Sequence, residues 1–115
     1  MKVFRYEDVK AENVVQDVEG RVIIRWLITK ETGAENFAMR LFEVEPGSKA
    51  GPHSHPWEHE VFVLEGKGSM KTAEKEAQIA PGSVVFIPPN EPHELSNPGH
   101  EILRYLCMIP FIQGK

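Results

Sequence analysis

This sequence predicts an all-β sandwich or barrel, and three observations lead there. Its hydrophobic pattern has a period of two, as in "RVIIRWLIT" and "FAMRLFEVE", where β-branched and aromatic residues concentrate. Turn signals recur at the short spacing of small β domains. Three of them are Pro-Gly pairs (Pro46-Gly47, Pro81-Gly82 and Pro98-Gly99), in which proline presets φ and glycine accepts a positive φ.

The elements follow in chain order. The first 18 residues hold the only weak helical pattern. Strands are expected over 21–29 and 37–45, separated by a turn at 31–33. After Pro46-Gly47 the stretch "HSHPWEHE" (His53 to Glu60) reads as extended, because Pro52 and Pro56 keep their predecessors out of the helical region. Further strands are expected in "EVFVLEG", "SVVFIPP" and "EILRYLCMIP", with turns at 66–68, 73–75, 81–82, 88–92 and 97–99 between and around them. His93 lies in another extended segment, "PPNEPHELSN".

The chain has 115 residues, enough for one domain with a core that needs no staples. We expect that domain over 1–115, with 1–20 as an N-terminal arm and 37–110 as the barrel core. So short an all-β chain must close, cover or pair its sheet edges. An arm carrying Val3, Phe4, Val14 and Val15 could be exchanged between two copies, so a homodimer is expected. The formal net charge of −4 and the lack of a basic run argue against a nucleic-acid partner. The charged first 20 residues do not read as a signal peptide, and no apolar stretch is long enough to span a membrane. With the single cysteine, Cys107, this predicts a cytoplasmic protein.

The chemistry lies in the histidines. His53, His55 and His59 share parity, so in an extended segment all three emerge on one face. Any one of them alone would more often be a surface residue. Three on one face, with His93 in a second motif, point to a metal site. Glu58 and Glu60 have the opposite parity and read as surface groups, Glu60 in an ion pair.

The spacing of these residues resembles that of the cupins. Gly47 is followed by five residues, His53-Ser-His55, three residues, His59, six residues and Gly66. A second motif runs from Gly82 through Pro88-Pro-Asn90 and His93 to Asn97. Histidine stands at 59 where the family usually has glutamate. Asn90 stands where it has glycine, and asparagine also visits left-handed backbone. The resemblance implies a double-stranded β-helix (jelly-roll) barrel of the compact single-domain kind. It also implies a four-histidine site, His53, His55, His59 and His93, for one divalent metal per chain. Manganese is first choice and iron next; imidazole alone would also suit zinc, nickel or copper.

Four neutral imidazoles leave the full 2+ charge on such an ion, and six-coordination would leave two open positions. If Arg104 faces outward, Tyr105 and Cys107 face the interior. Leu95, Val61 and Val63 follow histidine ligands and should line the pocket or fill the barrel. Arg40 is a candidate clamp for a substrate carboxylate, or an outward charge; Trp57 lies inside the ligand loop; His100 is a solvated turn residue. The resulting expectation is a manganese- or iron-dependent oxygenase or oxidoreductase acting on a small, partly apolar organic substrate. The scarcity of acid–base groups, with only Tyr105 or a water in view, sets it ahead of a non-redox isomerase or decarboxylase. A non-catalytic small-ligand-binding barrel is the other alternative.

Overall fold

The computed structural model describes residues 1–111. Its strands are β1 (Glu12–Asn13), β2 (Val18–Glu19), β3 (Val22–Ile28), β4 (Phe37–Val44), β5 (Lys49–His53), β6 (His59–Glu65), β7 (Gly68–Thr72), β8 (Glu76–Ile79), β9 (Val84–Ile87), β10 (His93–Ser96) and β11 (Leu103–Pro110). They form two antiparallel sheets, one of six strands ordered β1-β3-β4-β11-β6-β9 and one of five ordered β2-β5-β10-β7-β8. The chain alternates between the sheets, which gives the jelly-roll barrel.

Every run expected as a strand is one. In β11 the alternation places Leu103, Tyr105, Cys107 and Ile109 in the buried core, while Arg104 turns outward to Glu43, with its Nε 2.8 Å from the carboxylate. Val22, Val44, Val61, Val63, Leu95 and Ile87 complete the interior from both sheets.

The weak helical pattern of the first 18 residues amounts to a 3-10 turn at Tyr6–Asp8. Its backbone is held from outside: Arg25 Nη1 donates to the carbonyls of Tyr6, Glu7 and Val9 at 3.1, 3.2 and 2.7 Å. The arm then adds β1 to β3 and β2 to β5 within the same chain. One feature departs from the sequence reading: "HSHPWEHE" is not one strand. His53 ends β5 in one sheet, His59 begins β6 in the other, and a bend at Pro56–Trp57 carries the chain across. The shared parity did not produce the common facing; the closure of the barrel did.

The motif asparagines act on the backbone. Asn90 sits at φ 68°, the left-handed conformation that its replacement of glycine required. Buried Asn97 donates from Nδ2 to the carbonyls of Val44 (2.8 Å) and Glu101 (2.7 Å), and its Oδ1 accepts from the Gly99 N–H at 3.0 Å. Gly66 has φ 81°, and a Cβ there would run into the Ile102 carbonyl.

Candidate metal centre

His53 and His93 face each other across the β5–β10 pairing, with ring centroids 4.6 Å apart. His55, from the loop after β5, lies 4.8 Å from His53 by the same measure. The ligand nitrogens of these three lie within 4.8 Å of one another. His59 comes from the opposite sheet. Its ring stands 5.2 Å from His55 and 5.0 Å from His93, but its ligand atom is not among the three that converge.

The protonation states suit a cation. Burial, reinforced by the other imidazoles, lowers His53 to about 4 and His59 to about 3, and it lowers His55 as well. At neutral pH these three rings are therefore neutral and carry free lone pairs. His93 Nδ1 lies 2.9 Å from the Glu91 carbonyl, which can only accept, so Nδ1 donates there and Nε2 is the nitrogen left for a ligand. His59 Nδ1 lies 3.4 Å from Cys107 Sγ, and its Nε2 is buried without a hydrogen-bond partner. A buried polar atom left this way is rare and calls for a ligand. The residues present therefore fit a divalent ion.

Arg40 faces the interior. Its Nη2 donates to Cys107 Sγ at 3.0 Å, and its guanidinium lies over the Phe42 ring at 4.9 Å. Burial raises the Cys107 thiol, with Arg40 opposing. Burial also raises Tyr105 strongly, so its phenol stays protonated at neutral pH and cannot act as a base. Trp57 stacks parallel on His55, with centroids 4.5 Å apart. Leu95 and Val61 line the cavity, while Val63 fills the core below it. Glu60 makes a different contact from the expected ion pair. It meets Glu58, and burial together with that carboxylate raises it to about 6. His100 is exposed.

Around the histidines lies a cavity of about 270 Å³ walled by Val22, Ile24, Phe42, Met70 and Ile87. Sequence reasoning missed one residue of consequence here. Asp17, from the arm, is the one carboxylate among the described residues lining this cavity, and its charge acts on His53 and His55. It arrives because β2 pairs with β5 and the Gly51 N–H donates to the Asp17 carbonyl at 2.7 Å. No local pattern announces that pairing.

Comparison with known proteins adds three findings. A family model described as "Cupin domain" matches residues 40–109. The polyketide cyclase RemF of Streptomyces resistomycificus superposes with a TM-score of 0.89 at 34% identity, covering 100% of this chain and 82% of that one. The oxalate-binding protein of Thermotoga maritima is 31% identical over 93% of this chain and 92% of its own length. The chain spans about half the length of two other curated relatives, 52% of a Methanocaldococcus jannaschii protein and 46% of the 1-methylthio-D-xylulose 5-phosphate methylsulfurylase of Rhodospirillum rubrum.

Proposed function

This chain is a member of the cupin family, and on that premise we propose that it is a metal-dependent enzyme acting on a small, partly apolar organic molecule. His53, His55, His59 and His93 hold one divalent ion, manganese first and iron next. The observation that carries this reading is the group of neutral imidazoles at an apolar cavity, with His59 Nε2 buried and unpartnered. When bound, such an ion supplies Lewis acidity and, if redox-active, electrons. The chain's own residues supply the rest. Leu95, Val61 and Ile87 exclude water, Arg40 adds positive charge, and Asp17 is placed to take a proton at the cavity mouth.

Asp17 bears on the reaction class. Oxygenase or oxidoreductase chemistry drew its priority from a lack of bases, and that argument weakens with a carboxylate on the cavity wall. Proton transfer next to a polarised carbonyl (isomerisation, decarboxylation or ring closure) now fits the residues better. The likeness to a polyketide cyclase supports it, while the oxalate-binding relative supports binding without turnover. We place the protein in the cytoplasm, which suits a free buried Cys107, and propose a homodimer.

Elemental analysis of the purified chain tests the metal reading. About one manganese or iron per chain is expected, with His59→Ala lowering occupancy. No metal after reconstitution would overturn the reading, and full occupancy in His59→Ala would remove that ligand from the set. Deuterium exchange into a carbon acid, lost in Asp17→Asn, would support proton transfer; redox cycling with dioxygen or peroxide would restore the oxidative reading.

A further inference from the structure

A second chamber, of about 800 Å³, adjoins the histidine cavity. Arg40, His55 and His59 line both, so these three side chains form the partition between them. Three aromatic residues stand around the outer chamber: Trp26 from β3, Trp57 from the loop before β6, and Phe111 just beyond β11. No residue of the five-stranded sheet lines it. Trp26 pairs in register with Arg40, so its ring turns to the barrel side, yet the residue remains 41% exposed. An inward-facing tryptophan left open is apolar surface that the described residues do not cover.

Charges of both signs line the chamber, Arg40 and Lys30 against Glu12 and Glu31, and the one at the partition is Arg40, whose guanidinium lies 5.5 Å from the Trp26 ring centroid. Among the described residues, four buried side-chain nitrogens or oxygens lack a hydrogen-bond partner. Three of them, Arg40 Nε, Trp57 Nε1 and His59 Nε2, belong to residues of this chamber. The first two can only donate, so what they lack is an acceptor. The inner cavity holds no more than a small group. The outer one has the volume of an ordinary small-molecule site.

We propose that the outer chamber binds the ring system of a planar oxyanion, an aromatic carboxylate or phenolate of two or more fused rings. Its charged end meets Arg40 and Trp57 beside the histidines. Stacking on Trp26, Trp57 and Phe111 supplies affinity, and the guanidinium selects the anion. This deepens the metal-site reading and rests on it for the fate of the bound molecule, but binding itself needs no metal.

The test is calorimetric titration of the full chain, metal-free and manganese-loaded, with 2-naphthoate, its neutral analogue 2-naphthamide, and acetate. We expect 2-naphthoate to bind once per chain, at least tenfold tighter than either control. Arg40→Gln should abolish the preference for the anion. Phe111→Ala should weaken both ring compounds at least fivefold without lowering Tm. Trp57→Phe, which keeps a ring and loses the N–H, should weaken naphthoate more than naphthamide, whose carbonyl is the poorer acceptor. Naphthoate binding no tighter than acetate, or unchanged by both Arg40→Gln and Phe111→Ala, would overturn the proposal. Binding to metal-free protein that takes up no manganese would remove only the metal reading. Manganese uptake without naphthoate binding would remove only this one.

Discussion

His59 differs from the other three histidines in what it faces: Cys107 Sγ on its Nδ1 side and no hydrogen-bond partner on its Nε2 side. Burial lowers it to about 3 and His53 to about 4, well below an unfolded imidazole near 6.5. Between those values the unfolded chain binds more protons than the folded one, so stability rises with pH across that window. It is fully present above about pH 6.5 and is lost progressively as pH falls, towards about 4 for His53 and about 3 for His59. Thermal melting of metal-free protein should therefore show Tm falling over this range, with a shallower fall in His59→Ala; equal slopes would mean that His59 is not held neutral by burial. The identity of the histidines was legible because their spacing is local. Asp17 was not, because it reaches the cavity through a strand pairing about thirty residues away in sequence.

Strands were legible wherever one face is buried and the other is wet, since a period of two then appears directly in the residues. The segment from His53 to Glu60 defeated that logic. It belongs to two strands of different sheets, and its bend at Pro56–Trp57 leaves parity without meaning across it. What fixes the second histidine segment is Asn97, which ties the end of β4 to the loop before β11. Asn97→Ala would leave the buried Val44 carbonyl without this donor and unpin the turn at Gly99, at a cost of about 3 kcal/mol. A fall in Tm of roughly 10–20 °C should follow for a domain of this size. Because β10 carries His93, metal affinity should fall as well. An unchanged Tm would mean that water replaces the side chain and that the loop is held elsewhere.

At the scale of the whole molecule the question is how the sheet edges are protected. Arm exchange between two copies is one expected route; within the single chain the arm adds β1 and β2 to the two sheets and leaves β9 as an outer strand of the six-stranded sheet. On the outer face of β6 and β9, Phe62, Leu64, Val84 and Phe86 are 41, 38, 77 and 58% exposed. The register sets Phe62 opposite Val84 and Phe86 opposite Glu60, so the four apolar side chains share one face at the outer strand of the sheet. Exposed apolar residues on an open edge invite pairing, and a second copy of the same face is the self-complementary partner. Light scattering should therefore give about twice the 13.0 kDa chain mass at micromolar concentration. Val84→Lys with Phe86→Lys should return the single-chain mass while leaving metal content unchanged, because both side chains point away from the cavity. Removal of residues 1–10 provides the opposing test. If that truncation alone dissociates the dimer, the arm rather than the β6–β9 face holds the two copies together.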